Sequence, residues 1–441
     1  MTRASRPLRS NNVKALFAAL AVWVFATSLR ADDRIVAICS LPRMGVASVQ
    51  NKVFPGSVVQ DRAVLLGSVG SDLWRAASDP LGDFWMVTDR GPNAQLKVHG
   101  EKRRTLLLPE YAPMIVRTRA RAGGKARELT VVEMLPLTSA SGRSIGGLPN
   151  NLVHDEIAFD AAGEKPLGVN PSGVDTEGLV RTSQGDFWLT EEYRPSLLHV
   201  DRQGRVIKRY IPIGQNLTKA DYDVADTLPA VYVSRQKNRG FEALAISGDQ
   251  RVLYLGMQSP LARPNKDTAK SSRNTRILAF DIARDQATAE YVYRFDRADE
   301  FDSGAVQDDV NLCALTALGP KTLLVLERTD ARAKIYRVDL TTATDILPTP
   351  WHDRQDGETL EALADPAKHG IHVLAKTLIV DLGRFEGIPS KIEGLAVHNR
   401  FTIAVANDND FDVGTIDQAG NNVGQGVPSQ IVVVRLAKAL F

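Results

Sequence analysis

A short unit recurs along this chain and limits what it can fold into. An acidic or amide residue opens an apolar cluster; a turn follows, then a strand-like run, then a second polar pair. The clear copies begin at Asp175-Thr-Glu177-Gly-Leu-Val, Gly240-Phe-Glu242-Ala-Leu-Ala-Ile, Asn311-Leu-Cys-Ala-Leu and Ile392-Glu393-Gly-Leu-Ala-Val. They end at Glu191-Glu192, Gln258, Glu327-Arg328 and Asn407-Asp408. A weaker copy runs from Asp72-Leu-Trp to Asp89-Arg90, and a sixth is expected to begin at Glu361-Ala-Leu-Ala and end at Lys376. The internal spacing is 14 residues from Glu177 to Glu191 and from Glu393 to Asn407, and 16 from Glu242 to Gln258 and from Asn311 to Glu327. A strand, a tight turn and a return strand fit that length. Turn formers stand in the middle, as in Ser183-Gln-Gly-Asp, Ser247-Gly-Asp-Gln and Gly319-Pro-Lys.

Strand signals dominate the rest. Asp83–Thr88, Asp186–Thr190, Val252–Met257, Thr322–Leu326 and Phe401–Ala406 are short, β-branched or aromatic runs bounded by turn residues. Few stretches keep a helical period for more than two turns. From copy to copy the clear steps are 65, 69 and 82 residues, enough for a four-stranded sheet each. Units of that size closing radially make an all-β β-propeller. Six blades are expected, with five or seven as alternatives. A flat sandwich would not explain why the acid–strand–acid signature recurs. The first step, from 72 to 177, is much longer and contains the Gly-rich segment Pro136–Pro149, and Arg235–Gly240 and Leu261–Asn274 are further polar loops.

The first thirty residues follow other rules. Arg3, Arg6, Arg9 and Lys14 precede the apolar run Ala15–Thr27, and no acid occurs before Asp32. The run is too short to span a bilayer comfortably, which takes about 20 apolar residues. It reads as a signal peptide over residues 1–31, cut after Ala31 or Ala26, with an uncleaved anchor as the alternative. Residues 32–441 are then one propeller domain in a periplasmic or secreted protein. Without the leader the chain holds 49 basic and 52 acidic residues, a net of −3. That balance argues against a nucleic-acid partner, and no other run is apolar enough for a membrane. A monomer is expected. Cys39 and Cys313 are either a disulfide or two separate buried thiols.

In a propeller, a residue repeated at the same place in every blade forms a ring around the axis. Glu177, Glu242 and Glu393 hold such a place and are the candidate catalytic residues, with Asn311 and Asp72 as looser equivalents. Asp89, Asp175, Glu191, Glu327, Asn407 and Asp408 are the candidate metal ligands. Carboxylates crowded on one axis repel, so they shift their pKa or take up cations. Ca²⁺ suits an all-oxygen set. The alternative is structural, each acid capping a turn. Arg90, Arg194 and Arg328 follow the strand-end acids, and their guanidinium forks suit an anionic substrate; local ion pairing is the other reading. Asn407–Asp412 is dense in oxygen ligands but lacks the glycine and terminal glutamate of an EF-hand.

Other hydrolase signals are weak. Gly142-Arg-Ser144-Ile-Gly146 matches G-x-S-x-G, but in a loop of an all-β chain rather than at a strand–helix elbow. His154-Asp155-Glu156 reads as a surface loop, and no zinc, Walker or dinucleotide motif is present.

The stretches Gly173–Val200, Asn238–Leu261, Asn311–Asp330 and Lys391–Phe411 resemble the phytase-like propeller family known as "esterase-like activity of phytase". The resemblance runs from about residue 60 to residue 436. It implies hydrolysis of phosphate or carboxylic esters, and it brings no agreed catalytic set. In the placing of Glu and Asn around a channel, the chain is also distantly similar to Ca²⁺-dependent lactonase propellers. The expected function is thus an exported hydrolase acting on a small anionic or ester substrate at a carboxylate-lined, Ca²⁺-dependent channel. The competing reading is a Ca²⁺-stabilised propeller that only binds.

Overall fold

The computed structural model describes residues 32–120, 128–150, 156–355 and 357–441. The expected signal peptide, residues 1–31, and most of the His154–Glu156 cluster lie outside them.

The chain is an all-β propeller. Five sheets carry the repeats, each with the copy's apolar cluster as its first strand. These first strands are Asp72–Trp74, Thr176–Arg181, Phe241–Ile246, Asn311–Gly319 and Ile392–Asn399. Each packs against the next, and the fifth packs back on the first, so they line one axis in a closed cycle. The runs read from the sequence as strands form the second strand of each sheet, for example Asp83–Val87, Phe187–Glu191 and Val252–Met257. They are buried almost throughout because blades cover both faces, which is why they read as continuous apolar runs rather than alternating ones.

Closure comes from the start of the chain. Arg34–Ser40 pairs antiparallel with Gln430–Arg435 as the outermost strand of the fifth sheet. The second sheet gains a fifth strand, Asp223–Leu228, parallel to Val206–Pro212. The hairpin Asn93–Val98 and Glu101–Leu106 emerges between strands of the first blade and is joined by Ala158–Phe159 in a small sheet.

The sixth blade expected from Glu361 is not formed. Leu360–Ala362 is a single 3₁₀ turn, and Glu361 is buried against Arg276 of the third blade at 2.7 Å. The segment clamps the outside of that blade. The strand that follows, Ala375–Asp381, completes the fourth sheet.

The Glu-Gly steps of the repeat have a packing reason. A β-carbon at Gly178 would stand 2.8 Å from the Leu244 amide nitrogen, and one at Gly394 2.9 Å from that of Leu73. The next inner strand approaches so closely that only glycine fits. Cys39 and Cys313 are separate buried thiols in different core clusters.

Candidate functional site

One end of the axis gathers the charge. The inner strands begin here and the second strands end here, so both polar members of each repeat meet. Glycines set the spacing between neighbours. A β-carbon at Gly147 would lie 1.8 Å from the Arg90 carbonyl oxygen, at Gly240 2.3 Å from that of Glu192, and at Gly70 2.0 Å from that of Asn407. Each strand end is thus pressed against the segment that leads into a neighbouring part of the ring.

Two clusters of ligand-type atoms result, each with its atoms within 4.8 Å of one another. One is Asp175, Glu177 and Glu192; the other is Glu242, Cys313 and Glu393. All six residues are buried. Asp175 Oδ2 and Glu242 Oε2 accept no hydrogen bond. These buried acidic groups are arranged so that they can hold a metal ion.

Three cations stand among the acids. Arg90 Nη1 lies 3.1 Å from Asp175 Oδ2 and Nη2 lies 3.7 Å from Glu192. The same guanidinium bonds Asn238 and stacks over Tyr193. Arg328 bonds Glu393 through Nη2 and reaches exposed Asp330 at 2.7 Å through Nη1. Lys391 Nζ is 2.6 Å from Asp410 and 3.5 Å from Asp408. Ser68, Asn238, Lys391 and Asp410, which frame the cluster, have φ of 51°, 53°, 51° and 48°. Left-handed backbone at a residue with a β-carbon costs roughly 1 kcal/mol or more, and such strain gathers at functional sites.

Burial dominates the protonation states. It pushes Glu177 well above the usual carboxylate range, and Glu242, Asp175, Glu192 and Glu393 add to the rise. Asp89 rises for the same reason, with Asp408 and Asp175 adding to it. Glu192 rises by burial and by Asp175 and Glu242, against the pull of Arg90. Burial takes Glu242 to about 7 and Glu393 to about 8, with Arg328 opposing both. Asp408 goes the other way: burial works against it, but Lys391, Ser68 at 2.5 Å and the Asp410 amide hold its carboxyl low. Burial likewise opposes the charge on Lys391, and Asp408, Glu393 and Asp410 keep it protonated.

Other expected site residues are placed elsewhere. Glu191 accepts from the amides of Asp175, Tyr193 and Arg194, from Ser196, and from Arg209 at 2.6 Å. Glu327 accepts from Tyr293, from the Asp296 amide and from Lys376 at 2.9 Å. Asn407 is bonded to the backbone of Pro428 and Gln430. Their oxygens are committed to protein donors, the capping alternative. Arg194 donates to the Gln215 carbonyl. Asp72 accepts from the amides of Leu73 and Leu179, clasping the first two inner strands. Asn311 accepts from Arg239 at 3.0 Å. Ser144 is exposed on its loop.

Sequence reasoning passed over Glu192 and Lys391, and it flagged Asp410 only as part of the oxygen-rich segment Asn407–Asp412. A bulge between Leu189 and Glu191 turns the strand end, so that Glu191 meets Arg209 and Glu192 meets the cluster. The pair Glu191-Glu192 was itself the only signal.

Comparisons with known proteins place the chain in a family. A protein described as "Uncharacterized secreted protein" from Arthroderma benhamiae is 26% identical over 280 residues, covering 55% of this chain and 53% of that one. The chain thus spans about half the length of that relative. Among solved structures, a luciferin-regenerating enzyme aligns with a TM-score of 0.36 at 11% identity, covering 85% of this chain and 94% of its own. The Dos1 propeller aligns with a TM-score of 0.27 at 9% identity, covering 83% and 68%. Likenesses at that level say nothing about chemistry. The phytase-like family model matches residues 71–411, all five inner strands included, and the chain belongs to that family, described as "Esterase-like activity of phytase".

Proposed function

We propose that the protein is an exported, monomeric hydrolase of phosphate or carboxylic esters that works at the carboxylate cluster with a hard divalent cation, Ca²⁺. One observation carries the reading: Asp175, Glu177 and Glu192 converge within 4.8 Å while buried, with Arg90 as their only close cation among the described residues. Three buried carboxylates facing one guanidinium cannot all ionise without further positive charge, and a cation supplies it. The all-oxygen set fits Ca²⁺. Held by these three residues, the ion would supply Lewis-acid polarisation of the ester oxygen. Glu242, near neutrality and with Oε2 unengaged, is suited to take the proton of an attacking water. Arg90 and Arg328 would steady an anionic substrate; Arg194 is turned to Gln215 and has no part in this.

Export is supported by the basic and apolar leader and by the description of the Arthroderma relative as secreted. No helix among the described residues is long and apolar enough to cross a membrane.

The test is hydrolysis by the purified protein of a phosphomonoester, a phosphodiester, a carboxylic ester and a lactone, each with Ca²⁺ and with chelator. Ca²⁺-dependent turnover of one class supports the reading and names the bond. Silence across all four, with chelator only lowering the melting temperature, points instead to a Ca²⁺-stabilised binding propeller. The commitment of Glu191, Glu327 and Asn407 to internal hydrogen bonds would then describe the whole ring.

A further inference from the structure

We propose that Glu242, Cys313 and Glu393 form a second cation site, selective for a thiophilic divalent ion of the Zn²⁺ class. The three residues come from three consecutive blades. Glu242 is the second residue of the third inner strand, Cys313 the third of the fourth, and Glu393 the second of the fifth. One ligand atom from each lies within 4.8 Å of the others, and all three side chains are buried.

A second observation points to a ligand. Glu242 is 2% exposed, and its Oε2 has no hydrogen-bond partner. Leaving a buried carboxylate oxygen unmatched costs about 1–3 kcal/mol or more. A metal ion at this position would satisfy it.

The donor set selects the ion. One thiolate and two carboxylates suit tetrahedral Zn²⁺, which takes sulfur at about 2.3 Å and oxygen at about 2.0–2.2 Å and leaves a fourth position open. Ca²⁺ and Mg²⁺ prefer oxygen alone. The two clusters therefore differ in kind: Asp175, Glu177 and Glu192 offer only oxygen, while the second set adds sulfur.

Arg328 is the competitor. Its guanidinium bonds Glu393, and it also holds Asp330 at 2.7 Å. Asp330 is 81% exposed, so it can keep the guanidinium as a cation takes the inner position. Binding forms the metal–sulfur bond as the thiol proton leaves to solvent. None of this depends on the ester-hydrolase reading.

The test is a titration of the full protein with Cd²⁺, followed by its ultraviolet thiolate-to-metal charge-transfer band. The chain has two cysteines, and Cys39 lies on the outermost strand of the fifth blade. The band is expected in Cys39→Ser, with one thiolate per protein, and Zn²⁺ should compete it away. Cys313→Ser should lose it. Glu242→Gln should weaken Cd²⁺ binding at least about tenfold in the same assay, which keeps the test decisive if Cys313→Ser fails to fold. A folded Cys39→Ser protein without the band, or an unchanged Cd²⁺ affinity in Glu242→Gln, overturns the proposal.

Discussion

Arg90 holds Asp175 twice across a blade boundary: its backbone N–H donates to Oδ1 at 3.0 Å, and its guanidinium lies 3.1 Å from Oδ2. The first blade thus fixes the orientation of a carboxylate from the second. It also supplies positive charge to both Asp175 and Glu192. Arg90→Ala should lower stability by about 3–5 kcal/mol in chelator, because it leaves buried carboxylates unpaired. Saturating Ca²⁺ should recover part of that loss. Denaturant unfolding with and without Ca²⁺ measures both; a loss below about 1 kcal/mol would show that the pairing is not needed.

Glu191 and Glu192 are neighbours with opposite duties. Glu191 is matched by Arg209, both fully buried, whereas Glu192 faces the cluster. Glu191→Gln should therefore destabilise the protein by about 3 kcal/mol or more through Arg209. Glu192→Gln should cost little stability in chelator and weaken Ca²⁺ binding at least about tenfold. Thermal unfolding and calorimetric titration of the two variants separate these roles, and identical behaviour would contradict the assignment.

If Glu242 accepts the proton in hydrolysis, an ion held by Glu242, Cys313 and Glu393 removes that acceptor. Zn²⁺ should then inhibit the Ca²⁺-dependent reaction, and Cys313→Ser should shift the inhibition midpoint upward at least about tenfold. Zn²⁺ dose–response curves for the two proteins decide it. Equal midpoints would place the inhibition elsewhere.

A pH-dependent clasp lies outside the ring. Burial works against the charge on Glu290, but Arg276, His352 and Tyr232 outweigh it and hold the carboxyl below its usual range. A lowered folded pKa means the stabilisation is fully present above the unfolded value, about 4.3. It is lost as pH falls through the folded value. The melting-temperature gap between the native protein and Glu290→Gln should thus be largest near neutrality and shrink below about pH 4. A gap that does not change with pH would refute this.

The fold was legible where local chemistry decides it. Turn formers and buried runs mark the second strands, as at Val252–Met257, and the repeated acids mark the first. The blade count was not, because closure is non-local. The pairing of Arg34–Ser40 with Gln430–Arg435 leaves no sequence signature, and Glu361-Ala-Leu-Ala looks like an inner strand until Arg276 captures its acid. At the site, the repeat positions of Glu177, Glu242 and Glu393 were readable. The choice between Glu191 and Glu192 was not, since a one-residue bulge decides which of them faces the axis. Lys391 stands immediately before the fifth inner strand in a left-handed conformation that no motif announces.

The most direct measurement is the Ca²⁺ dependence of ester hydrolysis by the native protein and by Glu177→Gln, on whichever ester class is turned over. Loss of the central carboxylate should lower kcat/KM at least about 100-fold, comparable to the removal of a catalytic group, with the melting temperature in chelator unchanged or higher. Turnover within about twofold of the native protein, at the same Ca²⁺ dependence, would mean that the carboxylate cluster is not where hydrolysis occurs.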